Sequence, residues 1–157
     1  MEAKDICEAL KSRLPDAVIE LRTGTIDPFI VIRAECVREV LAVMRDDAAL
    51  RFDLLQLVTG VDWPDRFEVV YHLMSLTHRH RVTLKAMLPR EDPRVPSVAT
   101  LYPTANWHER ETYDLMGIVF EGHPDPRRIF LPDDWEGHPL RKDYVFPESY
   151  HGIPGNL

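Results

Sequence analysis

A chain of 157 residues, 45% hydrophobic and 29% charged, is long enough to bury one core and short for two ordinary domains. Twenty-six acidic residues against 19 basic ones give a net charge of −7, and without a basic stripe a nucleic-acid partner or direct attraction to anionic lipid is excluded. No apolar run reaches the roughly 18–20 residues needed to cross a bilayer, so membrane contact is expected only through another protein.

The first predicted element is a helix, because Ile6, Leu10 and Leu14 recur on one face and Pro15 stops the run. Ala17 to Arg22 and Phe29 to Arg33 read as two strands separated by turn residues. A second helix is predicted from about Glu35 to Asp46, with Val37, Val40, Leu41 and Met44 on its buried side. Three strands follow, Phe52 to Val61, Phe67 to Leu76, and a third on which Val82, Leu84, Ala86 and Leu88 face one way. Polar Arg81, Thr83 and Lys85 lie opposite, the signature of an antiparallel sheet covered on one face. The order predicts an α+β fold, a two-layer sandwich of helices on a mixed, mostly antiparallel sheet.

At Pro89 the character changes. Ten of the 13 prolines lie from there onward, and only one further helix fits, roughly Thr104 to Met116. Beyond residue 120 neither strand nor helix periodicity persists, yet Trp135, Tyr144, Phe146 and Tyr150 are too aromatic for an ordinary disordered tail. The expected division is an α+β domain over 1–120 and an extended Pro/aromatic-rich arm over 121–157 that docks on partner subunits. The part after about Pro132 is expected to order only on binding.

The charged start, Met1 to Asp5, lacks the apolar stretch of a secretory signal, so a cytoplasmic location is expected. Cys7 and Cys36 match no paired spacing and are expected to pack as small apolar residues rather than bind metal. His78 and His80 would share one side of a strand, but they sit at a hairpin tip with no further ligand at suitable spacing. His123, His138 and His151 each neighbour Gly or Pro and are read as turn or backbone partners. The densest polar cluster is His108 to Asp114. On a helix Arg110 would lie between Glu111 and Asp114, either as an ion-pair network or, less favoured, flanked by a general acid and base. No phosphate-cradling, nucleotide-binding, serine-nucleophile or zinc-protease motif is present.

Residues 105 to 144 carry a longer pattern. A Glu-Arg-Glu-x-x-acid element falls on Glu109, Arg110, Glu111 and Asp114. A Gly-His-Pro element falls on Gly122, His123 and Pro124 with a following Arg127, and a Gly-His-Pro-Leu-Arg-Lys-Asp element spans Gly137 to Asp143. This text closely resembles the signature of the C-subunit family of the proton-pumping NADH:quinone oxidoreductase, respiratory complex I. It departs at Pro126, where the family usually has Leu.

The resemblance implies a non-catalytic scaffold subunit of the peripheral arm, on the cytoplasmic side of the bacterial plasma membrane. It implies packing against the quinone-pocket subunit (the D subunit of the complex) and neighbouring Fe-S subunits, with FMN and Fe-S clusters in those partners and no cofactor here. The residues placed at the partner interface on this reading are Trp107, Glu109, Arg110, Glu111, Asp114, His123, Arg127, Arg128, His138, Arg141, Lys142 and Tyr144. Replacing Arg110 by alanine is expected to weaken assembly rather than electron transfer. A homologous subunit of a membrane-bound hydrogenase or related modular dehydrogenase is the alternative, and a stand-alone carboxylate hydrolase a distant one.

Overall fold

Alternating side chains on the central strands decide the architecture. The computed structural model describes residues 1–155, in which five strands form the main sheet: β1 (Val18–Arg22), β2 (Phe29–Ile32), β3 (Leu54–Asp62), β4 (Arg66–Ser75) and β5 (His80–Pro89). They lie in the order β1-β2-β5-β4-β3, antiparallel except for β2 against β5. That parallel pair requires a crossover, which the chain makes through helix α2 (Val37–Asp46) before β3, β4 and β5 meander back.

Phe67, Val69, Tyr71 and Leu73 of β4 share a face with Val82, Leu84, Ala86 and Leu88 of β5, none more than 4% exposed. Helix α1 (Ala3–Arg13) covers this face with Ile6 and Leu10, and α2 with Val37, Val40, Leu41 and Met44. Each such side chain contributes about 1.5–3 kcal/mol by leaving water, so this layer is the main source of stability. The fold is the α+β sandwich that the patterning predicts. The second helix begins with a 3₁₀ turn, Ala34–Cys36, before α2 itself. On the sheet's other face Glu68 is buried between Arg66 (2.9 Å) and Lys85 (3.4 Å).

Helix α3 (Ala105–Met116) lies along the free edge of β3. There the Val58 N–H donates to His108 Nδ1 (3.3 Å), and Thr104 Oγ1 donates to the Leu55 carbonyl (3.1 Å). An uncovered edge would be a template for stray strand pairing, and α3 removes it. Glycine at position 60 permits the close approach, since a Cβ there would stand 2.7 Å from Met116 Sδ and 3.0 Å from Thr112 Cγ2. Gly60→Leu is therefore expected to push α3 off β3 and cost about 1–3 kcal/mol. Urea unfolding checks this, and an unchanged midpoint would mean that α3 has room to give.

Two strands not foreseen from the sequence, β6 (Arg94–Pro96) and β7 (Val119–Glu121), pair in parallel on either side of α3 in sequence. A short hairpin, β8 (Ser149–Tyr150) with β9 (Ile153–Pro154), lies at the end of the described chain. No described helix is long and apolar enough to cross a membrane.

Candidate interaction surface

Helix α3 is the post to which the rest of the chain is tied. Its Asp114 carboxyl is fully buried, and one oxygen accepts the successive backbone N–H groups of Ile129, Phe130 and Leu131 (3.0, 2.7 and 3.1 Å). The other oxygen accepts Arg128 Nη1 at 2.9 Å. Successive N–H groups converging on one oxygen form an anion nest. Burial pushes the Asp114 carboxyl up, but the three N–H groups and the Arg128 guanidinium outweigh it and hold the group below its ordinary range.

The last turn of α3 leaves its carbonyls without intrahelical partners, and the arm supplies them. His138 Nδ1 bonds to the Asp114 carbonyl (2.9 Å), Leu140 N–H donates to Leu115 (2.9 Å) and Arg141 Nε donates to Met116 (2.7 Å). The Arg141 cation also sits where the helix dipole is negative. Gly117, at φ +72, ends the helix left-handed, and a side chain there would collide with His138 and Arg141. Further along, Lys142 N–H donates to buried Asp62 (2.8 Å), which also pairs with Arg90, and Arg90 reaches Asp143 (3.0 Å). The segment after Pro132, expected to lie free until binding, is thus fastened to the body as far as Asp143. The reason is that α3 and β3 present unsatisfied carbonyls and a carboxylate that match its donors.

Arg110 does not form the expected network with Glu111 and Asp114. It turns to Asp125 (3.3 Å) and the Arg127 carbonyl (3.0 Å), because Asp114 is taken by the nest and Arg128. Its guanidinium also lies 5.2 Å from the centre of the Trp107 ring. Glu109 is buried under the turn after β6, accepting the Val98 N–H at 2.8 Å and bonding Ser97 Oγ at 2.5 Å. Burial raises its carboxyl to about 7 against those two hydrogen bonds. The His123 ring is enclosed beside it, and Tyr144 Oη donates to the Glu136 carbonyl (3.1 Å).

Of the sequence-predicted surface, the side chains of Glu109, Asp114 and His123 are therefore internal. Arg110, Arg128, His138, Arg141 and Tyr144 are half-buried in contacts within the chain. Trp107, Glu111, Arg127 and Lys142 remain exposed. Phe146, among the aromatics the sequence marked on the arm, is 57% exposed, and sequence reasoning missed three further apolar groups the arm turns outward: Phe130 63%, Leu140 58% and Val145 83% exposed. Their only sequence signal was large apolar residues in a stretch without periodicity. His78 and His80 stack with ring centres 5.5 Å apart and bond the carbonyls of Ala48 and Leu50, and no group of three metal-binding side chains occurs among the described residues.

The profile of the family described as "Respiratory-chain NADH dehydrogenase, 30 Kd subunit" matches residues 30–150. The C subunit of the NADH-quinone oxidoreductase of Chloroherpeton thalassium is 50% identical over 147 residues, 92% of this chain. The chain spans only 61% of that relative's length. Among solved structures, the trypsin-resistant fragment (1–134) of Nqo5 is 34% identical with a TM-score of 0.66, over 80% of this chain and 99% of that one. A chain of the membrane-bound sulfane sulfur reductase, an archaeal respiratory membrane complex, is 28% identical with a TM-score of 0.75, over 92% of this chain and 86% of that one.

Proposed function

The chain belongs to the family of the 30 kDa subunit of respiratory-chain NADH dehydrogenase, and from that premise we propose that it is a scaffold subunit of the peripheral arm of a proton-translocating NADH:quinone oxidoreductase. The complex passes electrons from NADH through FMN and Fe-S clusters to quinone. On this reading those groups are held by partner subunits, and this chain contributes surface rather than chemistry. It sits on the cytoplasmic side of the membrane and packs against the quinone-pocket subunit and its Fe-S neighbours.

The observation that carries the proposal is the arm's division of labour. Its polar groups hold it to α3 and β3, while Phe130, Leu140, Val145 and Phe146 are left facing outward. Exposed apolar groups on a fastened segment suit a permanent interface, since fixing the segment beforehand reduces the entropy lost on docking. A second reading, a homologous subunit of another modular respiratory complex such as a membrane-bound hydrogenase, is favoured by the likeness to the sulfane sulfur reductase chain.

Affinity purification of the tagged chain from its host in mild detergent tests both. A large iron-containing assembly that oxidises NADH is the expected product, and hydrogenase or sulfur-reducing subunits would install the second reading. In the same experiment the double variant Val145→Asp, Phe146→Asp is expected to be made in normal amount yet recover at most about a tenth of the partners. Two charges in a desolvated contact cost several kcal/mol. Full recovery would show that the arm's outward groups do not carry the docking.

A further inference from the structure

The buried acid of α3 is built into more than a cap. Glu109 has no exposed surface, and no Lys or Arg among the described residues pairs with it. His123 lies beside it, its Nε2 3.8 Å from Glu109 Oε2. That gap is too long for a hydrogen bond and short enough for one to form by a small ring movement.

Both His123 nitrogens are already engaged. Nδ1 accepts the Asp125 backbone N–H at 2.9 Å, and Nε2 bonds the Asn106 carbonyl at 3.1 Å. Nδ1 as the acceptor leaves Nε2 to carry the ring N–H and donate to the Asn106 carbonyl. Near the carboxyl, the Tyr71 hydroxyl of β4 is fully buried and has no hydrogen-bond partner among the described residues. Arg94, Arg110 and Tyr113 line the same cavity of about 310 Å³ as Glu109 and His123. The two cations are held elsewhere, Arg94 by Asp92 (2.6 Å) and Arg110 by Asp125 (3.3 Å). A carboxylate formed here has two further donors on offer, the unpartnered Tyr71 hydroxyl and the His123 Nε2–H turning from Asn106 to Glu109, and only the second moves the corner.

We propose that Glu109 and His123 form a proton-controlled latch on the corner, residues 122–128, through which the arm leaves the body. With the proton on Glu109, the ring stays on Asn106 and Asp125, and Asp125 is positioned to hold Arg110 and Arg127. When the proton leaves to solvent, the ring keeps its own proton and turns Nε2–H onto the carboxylate. That movement draws Nδ1 away from the Asp125 N–H and loosens the corner. Asn106 loses little, since its carbonyl also lies within the first turn of α3. The burial that lifts the carboxyl to about 7 places the changeover near neutral pH, closed below and open above. The latch rests on the chain's own geometry; only its consequence, a firmer partner face at lower pH, depends on the docking proposed above.

Nuclear magnetic resonance of the full chain alone, between about pH 5 and 9, tests it without any partner. The Glu109 side-chain carboxyl carbon and the Asp125 backbone amide are expected to shift together with one midpoint, at about 7. Above that midpoint the His123 ring nitrogens should show the Nε2–H tautomer. Glu109→Gln, which keeps the shape and donor pattern of the protonated acid, is expected to fix the Asp125 amide at its low-pH position throughout. A Glu109 midpoint near the ordinary 4.5, an Nδ1–H tautomer of His123 above the midpoint, or an Asp125 shift that persists unchanged in Glu109→Gln would overturn the latch. If that variant does not fold, the shared or separate midpoints of the two wild-type signals decide by themselves. Loss of the latch would leave the docking proposal standing, and failed co-purification would leave these resonances unaffected.

Discussion

Replacing Asp114 by alanine is expected to free the arm while leaving the sheet folded, at a cost on the order of 3–5 kcal/mol. One fully buried carboxylate satisfies three N–H groups of Ile129 to Leu131 and the Arg128 guanidinium. Removing it strands a cation that is only 15% exposed together with three backbone donors, and unpaired buried groups carry their whole desolvation penalty. The core under α1 and α2, with Ile6 and Leu41, makes no contact with the nest and keeps its packing, whereas Phe67 loses only the arm's Arg141, 5.1 Å from its ring centre. Limited trypsin digestion reads the outcome directly. The variant should be cut rapidly after Arg127, Arg128, Arg141 and Lys142, whereas the wild-type arm resists and the body survives in both. Equal cutting of the two proteins would show that the nest does not hold the arm. Because the Asp114 carboxyl is held below its unfolded value of 3.8, its contribution is complete above that pH and fades as acid protonates the folded form.

The same residues explain how far a sequence reading reaches. Alternation along Phe67 to Leu73 and Val82 to Leu88, and the helical stripe Val37, Val40, Leu41, Met44, are local patterns with a physical period. Core and layers follow from them. The position of α3 was not legible, because it is set by pairs far apart in sequence, such as Val58 with His108 and Leu55 with Thr104. Nor could the arm's fastening be read. Its donors at Ile129 to Leu131, Leu140 and Lys142 are backbone N–H groups, which every non-proline residue possesses. Composition marked Asp114 as important but paired it with Arg110, its near neighbour on the helix. The folded chain offers Asp114 a better cation in Arg128, and Arg110 finds Asp125. The long pattern from Glu109 to Asp143 thus reads in part as a record of one intramolecular fastening. Asp114 meets Arg128 and Arg110 meets Asp125 within this chain, and the exposed apolar groups between them are left for a partner.

Glu109 gives the second large effect, and its sign is opposite to that of Asp114. Burial raises the folded-state carboxyl from 4.5 to about 7, so between those values the folded chain binds more protons than the unfolded one. Stability therefore falls as pH rises through that window and levels off above about 7. At about 1.36 kcal/mol per pKa unit the loss amounts to about 3 kcal/mol. Glu109→Gln removes the titration and keeps an acceptor for the Val98 N–H, while the Ser97 hydroxyl, which donates to Glu109 Oε2, turns to accept the amide N–H. Its stability relative to wild type should climb by about 3 kcal/mol from pH 4.5 to 7 and then stay constant, as urea unfolding across that range can record. Comparing the two proteins at each pH cancels the titration of every other carboxyl, including Asp114. A difference that does not change with pH would mean that Glu109 is ionised in the folded chain throughout. The carboxylate would then need a cation closer than His123, and the corner would have to be arranged differently from the one seen here.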